Sequence, residues 1–409
     1  MSALLQSLAQ GFDGDAAGRD ALDAVVHEGL PKPRSEAWKY TPLRALERRT
    51  FAQAQPTAVD AASVAGIPAP RAVFVNGWFD AGLSDLAGSG AEFGVTTGVE
   101  ATPVAPSADH VFTRLNAALA RQGVVLRVPA GLRIESPIHV VHIGAATGTD
   151  AASHVRHAIA LGEDARASIV EHHLGHGVHA HLATSFLSVS LARGAALTHV
   201  RVQDEAPAAT LFARTEATLA DDARYVRLDI EVGAALSRHE FDCRLDGKGA
   251  SVQADGVLLG AGRRHVDTRL NVEHAAPDTR CNLTWRGLAA DRSRVVLHGG
   301  ILIRAGADGS NAALSSKNLL LGEQAEIDAQ PVLEIHADEV QAAHGATVGG
   351  IDPTALFYLR SRGLPEGDAR RLLTTAFCRA VLSDVDATLR PFAEAALDRA
   401  LAAAVGTAP

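Results

Sequence analysis

From about residue 70 to residue 340 the chain is written in short runs in which apolar and polar residues alternate. In RYVRLDIEV, Val226, Leu228, Ile230 and Val232 share one side, and Arg227, Asp229 and Glu231 share the other. HVRHAIAL, ALTHVRV, HVDTRLNVEH, VVLHGGILI and VLEIHADEV follow the same rule. A period of two belongs to strands with one buried face. The charged side, Asp229 and Glu231 included, is then expected to face solvent. Almost nothing in this stretch has the length or spacing of a helix.

A looser repeat is laid over the alternation. LGEDA begins at Leu161, LARGA at Leu191, LADDA at Leu219 and LGEQA at Leu321, with LDGKGA at Leu245 as a lengthened copy. The leucines at 161, 191, 219 and 245 lie 30, 28 and 26 residues apart. Repeats of about 20–50 residues mark solenoids and propellers, and a propeller blade needs about 40–45. This spacing suits two or three short strands per coil, so the reading is a β-solenoid, with a sandwich as the plainer alternative. Aromatic residues are only 4 % of the chain. Stacked coils that pack Val, Leu, Ile and Ala through a narrow interior agree with that.

The two ends differ in texture. ALLQSLAQGF and RDALDAVVHEGLPKP carry apolar residues at helical spacing, and SEAWKYTPL follows them. After residue 352, Asp352 is placed to cap a helix, Pro353 to open it and Gly363 to close it. Leu372, Leu373, Ala376, Phe377 and Ala380 then recur at threes and fours. The expected division is a helical segment and linker over 1–69, a β core over 70–345 and a helical domain over 346–409. The net charge of −9, without a long basic run, argues against nucleic acid or anionic membrane as partner. No apolar run reaches the ~18 residues of a membrane span, and the N-terminus does not read as a signal peptide. Cys243, Cys281 and Cys378 are far apart and form no CxxC pair, which points to a reducing cytoplasm.

SEAWKYTPL (35–43) and HGATVGGIDPTALFYLRSRG (344–363) resemble the SufB/SufD family of iron–sulfur cluster assembly proteins, the SufD branch more than the SufB branch. The order helical start, long β region, helical tail agrees over nearly the whole chain. The WKYT segment and Gly345 carry the leaning towards SufD. The resemblance implies a right-handed parallel β-helix core and a complex with a SufB-like scaffold and a SufC-like ATPase. It implies a homodimer when the chain is alone, and a nascent cluster built at a subunit interface. It assigns no enzyme activity to this chain and leaves reduced flavin as a candidate ligand. Many SufD-like chains carry a cysteine two residues before the histidine of this motif, where this chain has Ala342.

His344 is accordingly the expected nitrogen ligand, or a closely held donor beside a partner's cysteine; its plainer reading is a turn histidine that caps carbonyls at the solenoid's end. Three scattered cysteines cannot supply the four thiolates of a self-sufficient cluster. Each reads most simply as a small buried hydrophobe. No P-loop or nucleophile elbow is present. His172, His173, His176, His179 and His181 form the richest histidine run and are able to bind zinc or nickel adventitiously. A solvated loop between two coils fits that run equally well. Phe357, Tyr358, Arg362, Leu372, Leu373 and Phe377 are the expected partner-binding residues, with the tail docking the ATPase and the β core folding without it. The strands near 330–345 should form an edge that a second chain extends. A carbohydrate-active β-helix enzyme is the alternative, resting on Asp229 and Glu231 as a carboxylate pair; a structural solenoid without a site is the third reading.

Overall fold

A computed structural model describes residues 2–32, 35–96, 110–383 and 385–405. The first helices are α1 (Ala3–Gln10) and α2 (Ala16–Glu28). The first strands are β1 (Ala52–Gln53), β2 (Arg71–Val75), β3 (Trp78–Phe79) and β4 (Glu92–Thr96). A helix that the alternation reading passed over, α3 (Val111–Leu119), precedes β5 (Gly123–Val128) and β6 (Ile138–Ala145). The regular coils follow: β7 (Ala151–Leu161), β8 (Arg166–His176), β9 (Leu182–Leu191), β10 (Ala196–Asp204), β11 (Thr210–Leu219), β12 (Arg224–Glu231) and β13 (Leu236–Leu245). They continue through β14 (Ser251–Gly260), β15 (His265–His274), β16 (Arg280–Ala289), β17 (Arg294–Ile303), β18 (Asn311–Leu320), β19 (Glu326–Ile335) and β20 (Gln341–Gly349). The tail is α4 (Pro353–Ser361), α5 (Glu366–Arg379) and α6 (Arg390–Val405). The division expected after residue 345 falls inside β20, and residues 406–409 lie outside the described chain.

Successive strands alternate between two ten-stranded sheets, so that odd strands from β5 to β19 pair with one another and even strands from β6 to β20 do the same. The pairing along both series is parallel, giving a β-solenoid of about eight turns. Between the sheets, side chains stack in rows. Ala167, Leu197, Tyr225, Val252, Cys281 and Ala312 are successive partners on even strands and all are buried. At about 25 cal/mol per Å2 of apolar area, such rows are the main stabilising term of the coil stack.

The copies at Leu161, Leu191, Leu219 and Leu245 are turns from an odd strand to the next even one, whereas LGEQA at Leu321 leads from β18 to β19. Asp164, Gly194, Asp222 and Gly249 each hold a positive φ just before the alanine that opens the next strand. Aspartate tolerates this left-handed region better than most residues, and glycine adopts it freely. The alternation of the two has a steric cause. A Cβ on Gly194 would lie 2.2 Å from Asp164 Oδ1, and one on Gly249 would lie 2.5 Å from Asp222 Oδ1. An aspartate in one coil therefore demands glycine in the next.

Both outer faces are covered in part. The WKYT segment docks on the odd sheet: Trp38 packs with Phe112 of α3 and Phe212 of β11, and Arg238 lies 3.8 Å above its ring. Thr41 Oγ1 donates to Asp267 Oδ2 at 2.6 Å. On the even sheet, Val200, Val202, Leu228, Ile230 and Val257 form a core with Cys378, Leu389, Leu397 and Leu401 of the tail. The apolar side of RYVRLDIEV thus faces the tail helices, and its polar side faces the solenoid interior.

Candidate functional site

Among the described residues nothing covers the last coil of the solenoid. β19 and β20 are the last strands of their sheets. Along β20 every residue but the half-buried Ala342 is exposed, and on β19 and β20 Val332, Ile335 and Val348 are 40, 42 and 46 % exposed. Leu283, Leu314 and His344 are successive partners on β16, β18 and β20. Ala342, on the same side of β20 as His344, packs against the interior core. His344 therefore continues an interior row beyond the point where the next coil would bury it. It is a strand residue, not the turn residue of the plainer reading. A Cβ on Gly345, Gly349 or Gly350 would meet nothing within 4 Å, so the backbone around the imidazole is open to close approach.

The thiols are elsewhere. Cys243, Cys281 and Cys378 are free and buried. Burial pushes the Cys281 and Cys378 thiols up to about 12 and raises Cys243 as well. They are protonated packing groups, as the sequence suggested, and none sits at the open end.

The expected partner-binding residues separate into two groups. No residue of α4 is buried; Phe357 is 72 % and Tyr358 56 % exposed, and Arg362 stacks on Tyr358 and donates to its hydroxyl at 3.2 Å. Asp352 caps this helix through Thr354 N–H at 2.8 Å, and Gly363 closes it at φ 92°. Leu372 is half exposed. Leu373 is partly covered, and Phe377 packs inward on the even sheet beneath Arg286. Phe377 is thus a packing residue rather than a free docking one, because it lies on the same side of α5 as buried Cys378 and Thr374.

The histidine run is not a solvated loop. Four of its five members are buried, because β8 and the turn after it split them between faces. His172 points outward, bonds His139 at 3.0 Å and packs under Phe392 of α6. His173 points inward. His179 and His181 bond the carbonyls of Gly144 and Ala145, each at 2.8 Å, and so brace the turn. His176 is the exposed one.

Asp229 and Glu231 do not form a solvated face either. Both are fully buried inside the solenoid. Arg227 donates to both oxygens of Asp229 at 2.8 Å, and Arg201 pairs with Glu231. A sugar could not reach them, which removes the basis for a glycosidase. The misreading has a simple source: alternation tells that two faces differ, but not which one is inside when helices cover the outer face.

The family profile described as "SUF system FeS cluster assembly, SufBD core domain" matches residues 142–377. The chain is 31 % identical over 376 residues to iron-sulfur cluster assembly protein SufD of Escherichia coli, covering 90 % of this chain and 88 % of that one. It is 27 % identical over 391 residues to a SufBD family protein of Synechocystis, covering 89 and 86 %. With SufD of Bacillus subtilis it shares 28 % identity over 285 residues, 68 and 63 % of the two chains. The fold, the matched core and these relatives agree, and the chain belongs to the SufB/SufD family, on its SufD branch.

Proposed function

We propose that this chain is a non-catalytic scaffold subunit in iron–sulfur cluster assembly, and that its open solenoid end pairs with a SufB-like chain. The single observation behind this reading is His344, aligned with an interior row and left uncovered between two free sheet edges. Its neutral imidazole offers one nitrogen to iron, and the nascent cluster, which is cargo, takes its thiolate ligands from the partner. ATP hydrolysis belongs to a SufC-like subunit docked on α4 and the outward side of α5. Among the described residues no helix is long and apolar enough to cross a membrane. The reading places the complex in the cytoplasm.

The test is His344→Ala. The residue is exposed at the open end of the stack, so stability should change by at most about 0.5 kcal/mol. Complementation of a SUF-dependent strain should fail. Full complementation at unchanged melting temperature would reject the role of His344.

A further inference from the structure

Inside the solenoid, far from any exposed edge, two imidazoles and a carboxylate converge. His142 of β6 and His173 of β8 are partners in register, with rings stacked 4.5 Å apart at 21°. Glu171 lies two residues before His173 on the same inner face of β8. His173 Nε2 is 2.6 Å and His142 Nε2 4.0 Å from Glu171 Oε1. One donor atom from each of the three lies within 4.8 Å of the others. They are only 7, 4 and 2 % exposed, in the order His142, Glu171 and His173.

A second observation is independent of this clustering. Neither ring nitrogen of His142 has a hydrogen-bond partner among the described residues. Each such buried atom costs on the order of 1–3 kcal/mol, and proteins keep few of them without a reason. Charge also falls short. On the inner faces of β8, β10 and β12, three buried carboxylates, Glu171, Asp229 and Glu231, face two guanidiniums, Arg201 and Arg227. One negative charge is left over, in a place where an unpaired charge is expensive.

We propose that His142, Glu171 and His173 form a mononuclear site for a divalent first-row transition metal, ferrous iron by donor set, held inside the solenoid by this chain alone. Two imidazoles and one carboxylate on one side of an ion is the donor arrangement of non-haem iron(II) sites. His199, with Nε2 3.3 Å from Glu171 Oε2, is placed to steady that oxygen or to become a fourth ligand. His157 and Phe74 close the other side, their rings 5.0 and 5.9 Å from that of His142. The group that opposes a cation is Arg201, whose Nε lies 3.7 Å from Glu171 Oε1. Its NH1 is already committed to Glu231. The site is distinct from His344 and needs no partner subunit.

The experiment uses the untagged full chain, refolded from urea with Co2+ as the probe so that the ion can enter before the coils close, then desalted. One equivalent of Co2+ per chain, with the d–d absorption of nitrogen and oxygen ligands and a raised melting temperature, is expected. His142→Leu and Glu171→Gln should each lose the ion, while His172→Gln on the outer face and His344→Ala should keep it. The isosteric Glu171→Gln guards against a variant that does not fold. Retention of the full equivalent by both inner variants would overturn the proposal. So would wild-type chain that emerges without bound Co2+ and with an unshifted melting temperature. Because His344→Ala is an outcome in its own right, failure of the interface reading and failure of this one are told apart.

Discussion

At the scale of single residues, the turn between coils shows how one side chain dictates its neighbour. Gly194 combines φ 69° with a missing Cβ whose place lies 2.2 Å from Asp164 Oδ1. Gly194→Ala should therefore cost about 1–3 kcal/mol, from the left-handed backbone and the clash together. Adding Asp164→Gly should recover the clash but not the backbone part, so that the two changes are not additive in urea midpoints. Simple additivity would show that the aspartate moves aside at no cost. The repeat itself was legible because LGEDA, LARGA and LADDA keep a left-handed residue before a small one. The inner site was not legible. His142 lies 29 and 31 positions before Glu171 and His173, one coil away, and only the coil length fixes which residues meet. The five-histidine run drew attention to the right strand, but parity along β8 assigns His173 inward and His172 outward, and sequence alone does not say which parity is inside.

At the scale of elements, the tail does two jobs with opposite faces. One face covers Val200, Ile230 and Val257 on the even sheet through Leu389, Leu397 and Leu401. Deleting the tail would uncover this core, so the expectation that the β region folds without it does not fit the packing. Point changes separate the jobs. Leu397→Ala should cost about 2–5 kcal/mol, as other buried Leu→Ala changes do, and lower the melting temperature by several degrees. Phe357→Asp and Leu372→Asp lie on the exposed side and should leave melting unchanged while weakening co-purification with a SufC-like ATPase. Undiminished capture by both would move the docking surface elsewhere. The helical start and stop of α4 were readable from Asp352, Pro353 and Gly363, whereas the inward turn of Phe377 was not. A helix with apolar residues on two sides gives no hint of which side another element has already taken.

At the scale of the whole molecule, the interior stores polar groups in forms that pH can unsettle, and they pull in opposite directions. Burial lowers His139, His265 and His274 to about 4, so each binds a proton less readily in the folded chain than in the unfolded one. Between about 6.5 and 4 the unfolded state holds more protons at these sites, and stability falls as pH falls through that window, by at most about 1.4 kcal/mol per pH unit for each group. Glu205 does the reverse. Burial raises it to about 7, with the Ala206 N–H bond lowering it in part. The folded state then holds more protons at Glu205 than the unfolded one between about 4.5 and 7, so this carboxylate weakens the fold as pH rises through that range. Its surroundings leave no room for relief: a Cβ on Gly144 would lie 2.8 Å from Glu205 Oε2. Glu205→Gln keeps the shape and an acceptor for Ala206 N–H but never ionises. The variant should be more stable than the wild type at pH 8, by up to about 3 kcal/mol for a shift of this size. The advantage should shrink as pH falls through this range and vanish below about 4.5, where the carboxyl is protonated in both states. Urea midpoints for the two proteins at pH 8, 6.5 and 5 check this. Curves that stay parallel across that range would mean that Glu205 keeps its charge inside the fold, and that a cation near His179 or His181 compensates it.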